Sequence, residues 1–343
     1  MRREIGSEFW NAGPQRRDDV YLLSGRTALE FIIRDILKNH NINSVLLPSY
    51  CCHTMIEPFC RHGIQVRFYD VFCGNDGGLC ADVPEIRKNE IFYYLTYFGF
   101  DRISGVYIEE IKKQAEIIIE DCTHAWLARE RMECSDYSYA SFRKWTGFSG
   151  IAIASKANGA FAEIPYERND RYCKMRRQAS AMKREFIETG VGDKQRFLSL
   201  FGEAEELLEA DYIGYLPEDS AVFELMNFDV RQAKEIRRKN AFVLLEGLQD
   251  ISNITLLYKE LSEQDAPLFV PILVPQDRMG LRKYLIENSI YCPVHWPLSS
   301  YHEEISDRAK VLYEQELSLL CDQRYGAEDM NKIIECIRTY YKR

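Results

Sequence analysis

The sequence predicts an α/β protein with a mostly parallel sheet, followed by a smaller α+β unit. Three observations predict it. Short β-rich runs recur between Leu22 and Ala154, most of them apolar throughout, as strands covered on both faces are. Helix-period stretches separate these runs, and strand, helix, strand at this regularity means parallel crossovers. With 343 residues, 46% of them hydrophobic, the chain is long enough for more than one core and too apolar for disorder.

The first predicted helix covers Thr27 to Lys38, where Ala28, Leu29, Ile32, Ile33, Ile36 and Leu37 recur at helical spacing. Predicted strands follow at Ser44 to Pro48, Gln65 to Val71 and Ile91 to Leu95. A weaker helix over Gly105 to Gln114 precedes three more strands, at Ile117 to Glu120, Tyr137 to Phe142 and Ile151 to Ala154. Past Pro165 the chain turns charged: Arg171 to Leu208 reads as one linker helix, with Pro217 closing the segment. An amphipathic helix over Val230 to Leu248 leads into strand-like Ile254 to Tyr258 and Leu268 to Val274. Helices near Arg278 to Asn288 and Ala327 to Tyr341 complete the smaller unit. The division expected is a large α/β domain with its linker helix over 1–215 and a small α+β domain over 216–343.

Composition narrows the function. The net charge of −9 is spread along the chain, which disfavours a basic nucleic-acid face. No run approaches the roughly 18 apolar residues of a membrane span, and Met1-Arg-Arg-Glu-Ile-Gly-Ser-Glu8 places charge where a secretory leader needs an apolar core. A soluble, cytoplasmic protein is expected. The eleven cysteines are scattered, several in apolar segments (Cys60, Cys134, Cys336), so they are expected to be mostly reduced core residues. None has the paired spacing of a zinc site, and no metal is expected.

Three segments carry chemistry. Ser24-Gly-Arg-Thr-Ala28 opens the first helix, where backbone N–H groups and the dipole favour an anion such as phosphate; Ser24 acting only as an N-cap is an equal reading. Glu120-Asp121-Cys-Thr-His124 follows an apolar strand and puts two acids at its carboxyl end, where open α/β sheets bind ligands. Burying Asp121 there calls for a cationic partner, unless it merely caps the next helix. Ser141-Phe-Arg-Lys144 follows the next strand and offers a lysine that is either solvated or desolvated and nucleophilic. Together the three call for one ligand with a phosphate, an aromatic ring nitrogen and an aldehyde, which is pyridoxal phosphate.

At this point the chain resembles the DegT/DnrJ/EryC1/StrS aminotransferases, sugar aminotransferases among the fold type I pyridoxal-phosphate enzymes. The carriers are Ser24-Gly-Arg-Thr-Ala-Leu29, Val45-Leu-Leu-Pro-Ser-Tyr50 with Glu57-Pro-Phe59, Tyr97-Phe-Gly99, Ile119-Glu-Asp-Cys-Thr-His-Ala125, Ser141-Phe-Arg-Lys-Trp145, Cys292-Pro-Val-His-Trp-Pro297 and Leu317-Ser-Leu-Leu-Cys-Asp-Gln-Arg-Tyr325. The resemblance implies a seven-stranded-type sheet between helices, Lys144 as the lysine of the internal aldimine and Asp121 as the partner of the ring nitrogen. It implies His124 against the ring oxygen, and Gly25, Arg26, Thr27 and Ser141 on the phosphate. His295 is a candidate for the substrate mouth, beside the reading of a structural histidine.

Three features depart from the family. Cys52 stands where an aromatic ring usually covers the cofactor, with Tyr50 and His53 adjacent, so three groups compete for that face. The lysine loop is short, and a single Gly150 replaces the usual glycine pair. The asparagine that relatives lend to the neighbouring subunit's phosphate has no clear counterpart. The resemblance implies a homodimeric aminotransferase moving an amino group from glutamate to a nucleotide-linked keto-sugar. A non-catalytic or regulatory descendant and another pyridoxal-phosphate reaction on a sugar nucleotide are the alternatives. The crowd of Tyr93, Tyr94, Tyr97, Phe98 and Phe100 is expected in a dimer interface, or else packed beneath the second domain.

Overall fold

Strands β1 (Asp18–Leu22), β2 (Ser44–Pro48), β3 (Gln65–Cys73), β4 (Leu79–Asp82), β5 (Glu90–Leu95), β6 (Ile117–Asp121), β7 (Tyr137–Ser141) and β8 (Ala152–Lys156) form one sheet. Their order is β1-β8-β7-β6-β5-β2-β3-β4, and β8 and β4 run against the rest. The computed structural model describes residues 18–74, 77–102, 105–129 and 134–342; the leader expectation rests on residues outside this set. Every residue of β2, β5, β6 and β7 is buried, the physical reason most of these strands carry apolar runs rather than alternation.

The sheet has eight strands rather than the expected seven, because the short β4 hairpins onto β3 and becomes the edge strand. Both β4 and the edge strand β1 carry acidic residues and partly exposed positions, which hid them from an apolar-run criterion.

Helices α1 (Gly25–Asn39), α2 (His53–Arg61) and α3 (Gly105–Lys112) lie between the strands. The predicted linker helix is two helices, α4 (Asp170–Thr189) and α5 (Lys194–Ala210), packed as a hairpin. Gly190 stops α4 in the left-handed conformation at φ 71°, and Asp193 caps α5 through the N–H groups of Gln195 and Arg196. A two-stranded parallel ribbon, β9 (Glu167–Arg168) with β10 (Tyr215–Leu216), joins the ends of this insertion.

Helix α6 (Asp219–Met226) precedes α7 (Val230–Leu248). A second core then forms where α7, α8 (Arg278–Glu287) and α10 (Ala327–Tyr341) pack around the antiparallel sheet β11 (Thr255–Leu256), β12 (Phe269–Leu273) and β13 (Glu316–Leu320). Leu244, Leu248, Ile272, Leu281, Leu319 and Ile337 are fully buried there. Helix α9 (Asp307–Gln315) instead packs on β3, so Ala309, Leu312 and Tyr313 join the core of the large sheet.

Two expectations are corrected. The rings of Tyr93, Tyr94, Tyr97, Phe98 and Phe100 are no more than 8% exposed within one chain, so they are not an interface core. They pack inside, as in the alternative reading: Phe100 stacks on Tyr258 with centroids 4.2 Å apart. Cys60 is exposed, as is Cys80, and Cys134 and Cys336 are half-buried; none of the eleven cysteines is in a disulfide. Among the described residues, no helix is long and apolar enough to cross a membrane.

Candidate active site

The parallel strands end on one edge, and the loops leaving that edge carry Ser24, Cys52, Phe98, Asp121 to His124 and Ser141 to Lys144. This is where a parallel sheet presents ligand-binding groups, because the crossover helices start there.

Asp121 ends β6 and is 2% exposed. Its Oδ2 accepts from the hydroxyls of Tyr139 at 2.8 Å and Tyr93 at 3.0 Å, and its Oδ1 accepts the Thr123 N–H at 2.8 Å. Strand register explains the convergence: Asp121 pairs with Tyr139 and with Leu95, and Tyr93 lies two residues before Leu95 on the same face. Burial pushes the Asp121 carboxyl above its ordinary range, and those three donors oppose the shift. Glu120 points to the other face, where it pairs with Arg129 at 2.7 Å and accepts from Ser135 at 3.0 Å.

Ser24 is the N-cap of α1. Its Oγ accepts the Thr27 N–H at 3.1 Å and lies 2.9 Å from Thr27 Oγ1. Gly25 meets the end of β7 so closely that a Cβ would lie 3.1 Å from Ser141 Cβ and 3.6 Å from the Tyr139 ring. The first turn of α1 and the Ser141 hydroxyl therefore face one space. The Arg26 guanidinium turns away, 3.7 Å from Glu209 and over the Tyr212 ring, leaving the Arg26 backbone N–H for that space.

Lys144 ends a 3₁₀ turn over Phe142–Lys144. Lys144 is exposed, although protein atoms surround its amine closely enough to desolvate it in part. Burial, and then the Arg143 charge, push that amine below the ordinary lysine range, while Cys52, Glu205 and Asp121 act in the opposite sense. The loop is held on both sides. Arg143 pairs with Glu205 of α5, while Arg237 of α7 and Gln323 both donate to the Trp145 carbonyl, at 3.2 and 2.8 Å. Gly150, the single glycine past the lysine, is needed where a Cβ would come within 3.0 Å of Leu23 and 3.1 Å of Tyr172.

His124 is buried and its Nδ1 accepts the Phe98 N–H at 3.3 Å, so the ring proton sits on Nε2. Burial holds it neutral, with His295 and Lys144 adding to the effect. The His295 ring meets His124 edge-on, with centroids 5.7 Å apart, and is buried as well. The loop between α8 and α9 places His295 beside His124, with the Lys144 charge bearing on its ring.

The three-way choice over the cofactor face narrows. Tyr50 is fully buried against Tyr97, Trp296 and Tyr313, and its hydroxyl donates to the His295 carbonyl, so it belongs to the core. Cys52 caps α2 and is half-buried, 3.2 Å from Thr54 Oγ1 and 3.9 Å from His53 Nδ1. Burial raises the thiol, but the hydrogen bonds from His53 and Thr54 outweigh it and hold Cys52 below the ordinary cysteine range.

Sequence reasoning missed the roles of Tyr93, Thr123 and Tyr139 around Asp121, and of Trp296, which stacks on His124 with planes 25° apart. Strand alternation was the one signal for the tyrosines. Trp296 lies in the Cys292-to-Pro297 stretch that carries the resemblance, but nothing in the local sequence marks its stacking on His124.

The largely parallel sheet with one reversed internal strand has the fold of the fold type I pyridoxal-phosphate transferases. Within that class the chain shares the fold of the DegT/DnrJ/EryC1/StrS aminotransferases. It superimposes on such an aminotransferase from Brucella abortus with a TM-score of 0.62 and 17% identity, over 95% of this chain and 86% of that one. Against NtdA from Bacillus subtilis, solved with bound cofactor PMP, the TM-score is 0.65 at 16% identity, covering 95% and 73%. The sugar aminotransferase CalS13 from Micromonospora echinospora gives 0.62 at 13% identity, covering 94% and 87%. No family model and no curated protein sequence matches the chain.

Proposed function

We propose that this protein is a cytoplasmic, homodimeric pyridoxal-phosphate aminotransferase that moves an amino group from glutamate to a keto-sugar carried on a nucleotide. The observation that carries the reading is the meeting of Lys144, Asp121 and the α1 N-terminus with Ser141 at one sheet edge. The residues fit the cofactor. Gly25 leaves room for an anion where a side chain would not, and Asp121 has about four lone-pair directions of which three are taken, leaving one for a ring N–H.

When bound, pyridoxal phosphate supplies an aldehyde that links to amines and a ring that withdraws electrons from the carbon losing its proton. Asp121 would hold a proton on the ring nitrogen, and a cation there would favour the ionised form of the buried carboxyl. Ser141 Oγ, Thr27 and the N–H groups of Gly25 and Arg26 bind the phosphate. His124 Nε2–H would donate to the ring oxygen, and Cys52 would face the ring. The Lys144 Nζ, kept uncharged more readily by burial, accepts a proton from substrate carbon and returns it. Near the lysine loop Arg143 and Arg176 pair with Glu205 and Arg324 pairs with Asp322, and Lys183 lies beside Arg324 and Arg176, so cations outnumber acids there, which supports a substrate bearing phosphate.

Borohydride reduction with peptide mapping is expected to label Lys144, and Lys144→Ala is expected to lose the link while staying folded. Lys156 is tied to Asp35 at 2.8 Å, so a label there would remove the assignment. Conversion of bound cofactor to its amine form by glutamate supports the enzyme. Inertness supports the regulatory reading, which the replacement of a ring by Cys52 favours.

A further inference from the structure

A hydrogen-bond chain behind His295 links its ring to a buried carboxyl. Glu316 opens β13 and is fully buried; its Oε2 accepts the His295 backbone N–H at 2.6 Å. Its Oε1 lies 2.5 Å from Ser318 Oγ, which lies 2.8 Å from His295 Nδ1. Strand alternation puts Glu316 and Ser318 on one face, and Ser318 is fully buried too. The ring's other nitrogen, Nε2, has no hydrogen-bond partner among the described residues, and Lys144 is the charged group bearing on this ring.

A hydroxyl has one proton to donate. With Glu316 ionised, both carboxylate oxygens accept, so Ser318 donates to Oε1 and accepts from Nδ1–H, leaving His295 Nε2 bare. With a proton on Oε1 the chain reverses: Glu316 donates to Ser318, Ser318 donates to Nδ1, and Nε2 carries the hydrogen. Each link shifts one proton, and the chain as a whole exchanges one with solvent. We propose that the ionisation of Glu316, relayed by Ser318, sets which nitrogen of His295 holds its proton, and so whether His295 offers the cleft beside Lys144 a donor or an acceptor.

The ring stays neutral in both forms, because burial and the Lys144 charge push His295 down to about 3. Burial pushes Glu316 up to about 8, against the pull of Ser318, the His295 N–H and Arg278, so both forms are populated near neutral pH. The groups facing the chain are Arg278 from α8, Tyr50 after β2, Cys292 ahead of His295, and Lys144 and His124 across the ring. From β12 the register partner of Glu316 is the apolar Leu273. Glu316 and Ser318 are thus positioning residues. For the proposed reaction, on whose assignment this consequence rests, the donor form suits a keto or hydroxyl oxygen of substrate, and alkaline pH withdraws it.

The test is nitrogen NMR of the full chain labelled with ¹⁵N-histidine, the His295 signals being assigned by their loss in His295→Gln. Between about pH 6 and pH 10 the protonated nitrogen is expected to move from Nε2 to Nδ1. Glu316→Gln, whose amide N–H donates to Ser318 as the protonated acid does, is expected to keep Nε2–H throughout. Ser318→Ala is expected to hold one tautomer at every pH. A single tautomer in the wild type, or a transition that persists in Glu316→Gln or Ser318→Ala, overturns the proposal. If Ser318→Ala does not fold, Glu316→Gln decides alone. The readout needs neither cofactor nor turnover, so its failure is distinct from failure of the aminotransferase reading.

Discussion

Trp145 Nε1 donates to the Thr123 carbonyl at 2.6 Å, tying the residue after Lys144 to the loop that follows Asp121. The indole is also covered by the Arg237 guanidinium, 4.8 Å from its centre, so one side chain joins the Lys144 loop, the loop after Asp121 and α7. Trp145→Phe keeps most of the ring but leaves a buried carbonyl short of its donor. A loss of about 1–2 kcal/mol in stability is expected, with weaker cofactor binding, checked by thermal unfolding and pyridoxal-phosphate titration. Unchanged values in both would show that the loops need no such tie.

Asp121→Asn is expected to weaken cofactor binding and slow transamination by about two orders of magnitude or more, because an amide cannot hold the ring nitrogen protonated. Tyr93→Phe and Tyr139→Phe each remove one donor from the same oxygen, and a roughly tenfold smaller effect is expected of either. Single-turnover kinetics with glutamate rank the three. Near-wild-type turnover in Asp121→Asn would transfer the role to another acid.

Cys52 is expected to react with iodoacetamide at neutral pH faster than the more exposed Cys60, whose thiol burial raises and Glu57 raises further. Cofactor should protect Cys52 and leave Cys60 unaffected. Mass spectrometry of both peptides over time gives the answer, and equal rates with and without cofactor would place Cys52 away from the ring.

Glu316 makes stability fall with pH. Its folded value of about 8 stands above the ordinary 4.5, so the folded chain holds a proton that the unfolded chain releases. That contribution is whole below about pH 4.5 and is lost as pH rises towards 8, at most about 5 kcal/mol. Glu316→Gln removes this slope. Urea unfolding of both proteins across that window checks it, and parallel curves would mean that Glu316 titrates normally.

The active species is expected to be a two-fold dimer with sites completed across the subunit boundary, as the fold resemblance implies. Light scattering gives the mass. Mixing Lys144→Ala with the double variant Ser141→Ala/Thr27→Ala is expected to recover no activity, because Lys144, Ser141 and Thr27 meet at one sheet edge of a single chain. A fully active monomer rules the dimer out.

By itself the sequence determined the inner strands, the helices Val230–Leu248 and Ala327–Tyr341, and the loops bearing Ser24 to Thr27, Asp121 and Ser141 to Lys144. Each of these is written in consecutive residues: burial on both faces leaves an apolar run, a helical face repeats every three to four residues, and the site loops directly follow strands. Only the tertiary structure decided that Tyr93 and Tyr139 share one oxygen of Asp121, that Tyr50 is core while Cys52 is half-buried at the start of α2, and that Glu316 and Ser318 stand behind His295. Those pairs join residues up to 46 positions apart within the sheet, and about 245 positions apart between Tyr50 and His295. Their meeting is set by strand register and by the return of α9 to the large sheet, and no local pattern records a distance between elements that touch only once the chain has folded.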